Sequence, residues 1–162
     1  MTDTGIGARV LRKEDKRFIT GKGQYTDDIN LPHQTYAYFV RSPHAHATIK
    51  SINTAKAKKM AGVVDVFTSK EVEEDKIGGL ICGWLIHSKD GSPMKPGPHP
   101  ILASGQVRFV GDQVAVVIAE TRAQARAAAE AVQVSYGVLP HNVDAAQAMK
   151  TKAQVHDVAS DN

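Results

Sequence analysis

Short runs of β-branched and aromatic residues alternate along the chain with polar and glycine-containing stretches, which is typical of β-strands separated by turns. Six strands are predicted from these runs. They are Thr35 to Val40, Ala47 to Ile52, Val63 to Phe67, Val107 to Val110, Gln113 to Ala119 and Gln133 to Tyr136. The third run is rich in β-branched residues, and we expect it to be buried on both faces of its sheet.

Four helices are predicted where a capping residue precedes a run of helix-forming residues. The longest is Arg122 to Val132, which follows Thr121 and is dominated by alanine, so that it can pack closely on a sheet. The other three are Ala55 to Met60 between Thr54 and the terminating Gly62, a brief helix that starts at Thr68 or Ser69 with Glu71, and a last helix from Asp144 to Met149.

The dipeptide Gly111-Asp112 separates the fourth and fifth predicted strands. A Gly-Asp pair between two β-rich runs favours a hairpin. Together with the alanine-rich helix and the sixth strand, this order predicts a β-β-α-β arrangement over residues 107–136.

Residues 77–106 have the least regular pattern, because their glycines and prolines are incompatible with a long helix or a central strand. Pro93 to Pro100 is predicted to be an extended surface loop, and Gly78 to Ile86 a β-segment that leads into it. Trp84 is expected to pack in or near the core. Cys82, the one cysteine, is interpreted as a buried or half-buried small apolar residue.

The overall pattern predicts an α/β (α+β) fold, a mixed sheet with a few helices packed on it. Residues 1–23 have few core-forming side chains and are interpreted as an extended N-terminal arm that lies on another surface. Residues 24–150 are predicted to form a single domain, and residues 151–162 a tail with little apolar content. A chain of 162 residues is long enough to bury a core of its own.

Composition narrows the possible functions further. The net charge of +3 arises from the first 80 residues, where basic and acidic residues are interleaved, as from Arg12 to Arg17. No aromatic residues alternate with this cluster to stack bases, so a nucleic-acid partner is not predicted. The apolar runs are too short for a membrane-spanning helix, and the N-terminus lacks the pattern of a secretory signal. A single cysteine excludes an internal disulfide, and we expect a cytoplasmic location.

Two side-chain pairs are candidates for chemistry. If the chain around them is extended, His44 and His46 share a face that a metal could bridge, but no third ligand stands nearby, and a hydrogen-bonding or interface role is favoured. Asp27 and Asp28 are adjacent and point to opposite sides of an extended chain, so turn formation is favoured over acid/base catalysis.

Other chemical motifs are weak. Gly21-Lys22-Gly23 and Gly5-Ile6-Gly7 lack the spacing of a phosphate-binding loop, and no serine lies in a nucleophile elbow. The residue pattern therefore nominates no catalytic residue, no cofactor-binding residue and no metal ligand.

Several stretches, read in order, resemble one family, the molybdopterin-containing hydroxylase large subunits of the carbon monoxide dehydrogenase, xanthine dehydrogenase and aldehyde oxidase type. The stretches are Arg12 to Asp15 with Arg17 to Asp28, Phe39 to Ala47, Gly62 to Thr68, Val107 to Thr121 and Val134 to Pro140. A small departure is that Ser135 and Gly137 stand where acidic residues are common in relatives. The resemblance is closest to the carbon monoxide dehydrogenase-like large chain, since the motifs begin soon after Met1.

The resemblance implies that residues 24–150 are the α/β hammerhead domain and that the tail leads to downstream molybdopterin-binding domains. The family's cofactor-binding segments and active-site glutamate lie in those domains, so the chain is expected to be a structural and assembly part of a molybdenum-dependent oxidoreductase, inactive alone. The implied partners are the rest of the large subunit, a medium subunit with FAD and a small subunit with iron–sulfur clusters. Carbon monoxide, purines, aldehydes and N-heterocycles all remain open as substrates.

The alternative is a free-standing small binding module that holds a metal through His44 and His46. A metal titration that follows the histidine signals would distinguish this module from a structural domain.

Overall fold

A computed structural model describes residues 5–158. Contacts within the chain define two compact units, Met1–Gln34 and Thr35–Asn162. The first contains helix α1 (Asp15–Ile19) and a 3-10 turn (Thr26–Asp28), and no residue of either is buried. The predicted boundaries of the arm, domain and tail at residues 23 and 150 stay predictions.

As far as residue 158, the second unit contains two three-stranded sheets, both antiparallel, and four helices. Its elements are β1 (Tyr36–Arg41), β2 (Ala47–Asn53), α2 (Ala55–Lys58), β3 (Val63–Thr68), α3 (Ser69–Glu74), β4 (Gln106–Val107), β5 (Gln113–Ala119), α4 (Arg122–Ala131), β6 (Gln133–Val138) and α5 (Ala145–Ala148). One sheet has the strand order β1-β5-β3 and the other β4-β2-β6. The predicted α/β fold class is confirmed, with the strands distributed over two sheets.

The main core lies between the first sheet and helix α4. Val66 of β3, Val117 of β5 and Ala128 of α4 are fully buried there. Alanine on the inner face of α4 allows the helix axis to approach the strands closely, as its composition predicted. Each buried valine removes a side chain from water at a gain of about 1.5–3 kcal/mol.

A second cluster joins the two sheets. Ala47 of β2, Val107 of β4 and Val114 of β5 pack together with Ala103, and all four are buried. Strand β5 therefore contributes to both clusters and is buried on both faces, whereas β3, for which this was predicted, is not. Val64 on β3 is 61% exposed, so that prediction was wrong. The physical reason is that Val64 lies at the register shift between Val63 and Asp65 and outside the core cluster that buries Val66.

Helix starts follow the predicted caps. The hydroxyl of Thr121 accepts a hydrogen bond from the Gln124 N–H at 3.2 Å, and the carboxylate of Asp144 accepts one from the Ala146 N–H at 2.8 Å. Thr68 and Glu71 form a reciprocal capping box at α3. These side chains satisfy N–H groups that have no partner within the helix.

The predicted hairpin at Gly111-Asp112 is wrong. The fourth strand ends at Val107 and pairs with β2, whereas β5 pairs with β1 and β3. A tight turn does form, with Gly111 at φ +93° and a bond from the Asp112 N–H to the Phe109 carbonyl. Because the turn connects strands of different sheets, local turn chemistry was an insufficient guide to pairing.

The prediction for residues 78–86 is also wrong. Within residues 77–101 the pairing is limited to an isolated bridge between His87 and Pro93, and no strand forms. Trp84 is 81% exposed rather than in or near the core, and Cys82 is exposed rather than buried. These side chains lie on an irregular segment that does not pair with a strand, so they are not packed into the core. Pro93 to Pro100 lacks helix and strand, as the prolines predicted.

Candidate functional site

The polar centre of the second unit lies where the chain after β6 packs against the end of β2. The Leu139 N–H donates to the His46 carbonyl at 3.0 Å, and His46 Nδ1 lies 3.0 Å from the Pro140 carbonyl oxygen. A carbonyl oxygen can only accept, so Nδ1 carries the proton. His46 is thereby fixed in one ring orientation and is only 7% exposed.

Arg108 holds the same C-terminal segment at a second point. Its Nε donates to the Val155 carbonyl at 3.1 Å, and its backbone N–H donates to the Asp112 carboxylate at 2.9 Å. The guanidinium makes no ion pair with a carboxylate of residues 5–158. The side chain is half-buried, and the nearby Asp112 carboxylate contacts the Arg108 backbone rather than its guanidinium.

A cavity of about 280 Å³ lies between these two attachment points, and we call it the His46 cavity. His46, Arg108, His141 and Asn142 supply its polar wall. His46 Nε2 and Asn142 Nδ2 are buried and have no hydrogen-bond partner among residues 5–158. Buried polar atoms normally have a partner, so these two atoms are exceptions that the fold of residues 5–158 leaves unsatisfied.

A smaller cavity of about 190 Å³ shares Arg108 and Phe109 with the first one. His99 and His156 line it, and the His156 ring lies so close to Gly97 that any Cβ there would overlap it. Burial lowers the pKa of His156, and the positive charge of Arg108 lowers it further. This histidine is therefore favoured in its neutral form.

The two histidines singled out in the sequence have different surroundings. His44 packs edge-on against Tyr136, with ring centroids 4.9 Å apart, while His46 Nδ1 is engaged by Pro140. Within residues 5–158 no three His, Cys, Asp or Glu side chains are grouped as a metal ion would require. The residues of this chain that the structure describes therefore do not fit a metal centre.

The acidic pair in the first unit forms the turn that was predicted. The Asp28 carboxylate accepts from the Tyr25 N–H at 2.9 Å and starts the 3-10 turn Thr26–Asp28.

Comparison with known proteins identifies the domain. A family model described as the aldehyde oxidase and xanthine dehydrogenase a/b hammerhead domain matches residues 20–140. The chain belongs to this family. The hammerhead fold and the family resemblance expected from the sequence motifs are confirmed.

Relatives of this hammerhead domain are large chains of oxidoreductases. The chain is 42% identical over 132 residues to the nicotine 6-hydroxylase large subunit of Paenarthrobacter nicotinovorans, covering 82% of this chain and 15% of that one. It is 39% identical over 150 residues to the carbon monoxide dehydrogenase large chain of Afipia carboxidovorans, covering 92% and 17%. The chain thus spans less than a fifth of the length of these relatives.

Solved structures give the same result for the fold. The quinoline 2-oxidoreductase of Pseudomonas putida 86 superposes on the hammerhead domain with a TM-score of 0.84 at 37% identity, over 94% of this chain and 19% of that one. A structure of Cu,Mo-CO dehydrogenase matches with a TM-score of 0.72 at 39% identity, over 93% and 18%.

Sequence reasoning found His46 but missed the other members of the hammerhead domain's polar cavity. Arg108, His141 and Asn142 are far from His46 in sequence, and no spacing rule connects them to it. Arg108 belongs to a stretch that resembles the family, but nothing in that stretch indicates that its guanidinium lines a cavity. His99 and His141 each stand next to a proline, which alone does not indicate a site.

Proposed function

We propose that this hammerhead domain is a structural and assembly part of a molybdenum hydroxylase large subunit, and that it is not catalytic alone. The family match and the short span relative to full-length relatives support this proposal. No catalytic, cofactor-binding or metal-binding role is assigned to residues of this chain. We place the molybdopterin cofactor in the rest of the large subunit.

The observation that carries the proposal is an exposed apolar segment, which we call the apolar strip. Six large apolar side chains within ten residues are exposed: Ile77, Leu80, Ile81, Trp84, Leu85 and Ile86. Ile81 is 93% exposed and Trp84 81%. A concentration of exposed large apolar side chains in one short segment is typical of an interaction site. The occupant that we propose is the rest of the large subunit.

Further partners and the location follow from the same proposal. We assign FAD to a medium subunit and iron–sulfur clusters to a small subunit of the complex, with a cytoplasmic location. The relatives include a dehydrogenase complex subunit and large chains, which supports a multi-subunit assembly. Across residues 5–158, no helix has the length and apolar content needed to cross a membrane.

A chimera tests the assembly role. The matched segment of the nicotine 6-hydroxylase large subunit is replaced by this chain, and assembly is measured by size-exclusion chromatography, with nicotine hydroxylation as the second readout. We expect the chimera to assemble, and the substitutions Ile81→Ser and Trp84→Ser together to reduce assembly about tenfold or more. The matched control is Val143→Ser with Met149→Ser, which changes two other exposed apolar side chains.

Equal assembly of the strip variant and the control variant would contradict the proposed docking role. Hydroxylase activity of the chain alone with a dye acceptor would contradict the assignment as non-catalytic.

The alternative of a metal-binding module lacks a complete set of ligands among residues 5–158. The bond from His46 Nδ1 to Pro140 is compatible with a metal at Nε2, but His44 packs on Tyr136 and no third ligand joins the two histidines among residues 5–158. A zinc titration followed by the histidine NMR signals tests it, and we expect those signals to stay unmoved.

A further inference from the structure

The last described segment of the chain, residues 151–158, has neither helix nor strand, and we call it the C-terminal strap. The strap is held at the Val155 carbonyl, which accepts from Arg108 Nε at 3.1 Å. Ala153 and Val155 also form part of the wall of the His46 cavity, and His156 enters the smaller cavity beside it. A segment without strand pairing opens at a lower free energy than the sheets do, so these few contacts decide whether the strap is docked.

The contact between His156 and Gly97 depends on the absence of a side chain. A Cβ at Gly97 would overlap the imidazole ring of His156. The φ of Gly97 is not positive, so its backbone conformation is open to other residues. The glycine is therefore needed for the space that it leaves to the ring, and any other residue would push the ring away.

The docked position of the His156 ring disfavours a positive charge. Its Nδ1 is buried and has no hydrogen-bond partner among residues 5–158. A protonated imidazole carries an N–H on both nitrogens, so the charged ring would bury an N–H that has no acceptor. A neutral ring avoids this cost by carrying its proton on Nε2.

The charged and titratable groups around the ring come from the loop at Gly97, from the turn after β4 and from the strap itself. They are His99, Arg108, Asp112, His46 and Asp157. Burial is the largest cause of the lowered pKa of His156, and the positive charge of Arg108 is the second. Asp157 raises this pKa and the two other histidines lower it, so the net direction is downward. The Asp112 carboxylate accepts from the Arg108 backbone N–H at 2.9 Å.

We propose that the C-terminal strap is a pH-dependent latch, docked on Gly97 and Arg108 while His156 is neutral and released when His156 takes up a proton. In the released strap, water accepts from both ring nitrogens. Release also withdraws Ala153 and Val155 from the wall of the His46 cavity, which opens that cavity to solvent. The proposal is independent of the assembly role, because every contact that it uses lies within the second unit.

The direction of the pH dependence follows from the two states of the ring. The released ring titrates near the ordinary histidine value of about 6.5, whereas the docked ring has a lower pKa. Docking is therefore strongest above about pH 6.5, and its equilibrium constant falls by up to about tenfold for each pH unit below that value. The fall ends where the docked ring is itself protonated.

Nitrogen NMR of the whole chain tests the latch. The Arg108 Nε–H donates to Val155, so its protection against hydrogen exchange, corrected for the intrinsic rate, reports docking. We expect this protection to fall by about threefold to tenfold between about pH 6.5 and about pH 5.5. The amides of residues 113–119 in β5 are the reference and should keep their protection.

A matched pair of glycine variants tests the contact with the ring. Gly97→Ala places a methyl group where the imidazole of His156 lies. We expect His156 to titrate near its ordinary value in this variant, and the protection of the Arg108 Nε–H to fall about tenfold at neutral pH. Gly83→Ala adds the same methyl group where no atom lies within 4 Å and φ is not positive, and we expect neither quantity to change.

A matched pair of histidine variants tests the titrating group. His156→Gln keeps a neutral polar side chain on the strap, and we expect the protection of the Arg108 Nε–H to lose its dependence on pH. His87→Gln changes an exposed histidine that lines neither cavity, and we expect the dependence on pH to remain.

Three results would overturn the proposal. They are an Arg108 Nε–H protection that is constant between about pH 6.5 and about pH 5.5, a pH dependence that persists in His156→Gln, and a His156 titration that Gly97→Ala leaves unchanged. If Gly97→Ala fails to fold, the comparison of the unmodified chain with His156→Gln still decides.

Discussion

Two regions of the second unit contain similar apolar residues but place them in opposite environments. On strands β3 and β5, Val66 and Val117 are fully buried beneath helix α4. In the apolar strip, Ile81 and Trp84 are almost fully exposed. The strands pair with neighbours, which satisfies their backbone and leaves one face for the helix. The strip has no such pairing, so its side chains contribute little to the stability of this chain and are available to another surface.

The largest effect is expected for two valines on the same strand. Val66→Ala removes two methyl groups from the core and should lower the free energy of unfolding by about 2–3 kcal/mol. Val64→Ala removes the same atoms from a side chain that is 61% exposed. It should change the free energy of unfolding by less than about 0.5 kcal/mol. Urea denaturation measures both. Equal losses of unfolding free energy in the two variants would show that the assignment of Val66 to the core is wrong.

A smaller effect is expected at the start of the helix that covers the core. Thr121→Ala removes the hydroxyl that accepts from the Gln124 N–H and should cost about 1 kcal/mol. Thr121→Ser keeps the hydroxyl and should retain most of the stability. Thermal unfolding followed by circular dichroism compares the two variants, and an unstable serine variant would refute the capping role.

The ion pair between Lys58 and Asp65 should contribute less to the free energy of unfolding than the Thr121 cap does. Lys58 Nζ lies 2.9 Å from Asp65 Oδ1, and this hydrogen bond, with one from the Val66 N–H, lowers the pKa of Asp65. A lowered carboxyl pKa stabilises the fold above the unfolded value of about 3.9, and this stabilisation is lost as the pH falls through the folded value.

Both side chains of the pair are about 40% exposed, so solvent screens their interaction. Asp65→Asn should therefore lower the free energy of unfolding by less than about 1 kcal/mol at pH 7. The difference between Asp65→Asn and the unmodified chain should shrink as the pH falls below about 4. Chemical denaturation at a series of pH values measures it. A difference in unfolding free energy that grows as the pH falls would contradict a lowered pKa of Asp65.

The smallest effect on stability is expected in the apolar strip. Ile81→Ser with Trp84→Ser should change the free energy of unfolding by less than about 0.5 kcal/mol, because these side chains have little contact to lose. The same change should reduce self-association of the chain, as measured by analytical ultracentrifugation. A loss similar to that of Val66→Ala would mean that the strip packs within this chain.

The sequence predicted the positions of helices and strands better than it predicted which strands pair with each other. Thr121, Asp144 and Thr68 act through neighbours two or three residues away, so their capping roles were readable from local spacing. Strand partners depend on the whole chain. Nothing around Gly111 indicates that Val107 pairs with β2 while Gln113 starts a strand of the other sheet.

The exposed strip and the polar cavity were unpredictable for related reasons. A run such as Leu80 to Ile86 looks like a buried strand whether its partner lies in this chain or elsewhere. The contact between His46 and Pro140 joins residues 94 positions apart, and Arg108 enters from a third segment. The family motifs identified the domain as a whole but did not indicate which of its surfaces face a partner.

Hydrogen–deuterium exchange of the amides of residues 77–86 tests the central proposal most directly. The exchange is compared between the free chain and the chimeric large subunit, with residues 63–68 of β3 as the internal reference. We predict that residues 77–86 exchange at least about tenfold more slowly in the chimera, while the reference changes little. Equal and rapid exchange of the apolar strip in an assembled, active chimera would contradict the proposal that the rest of the large subunit covers it.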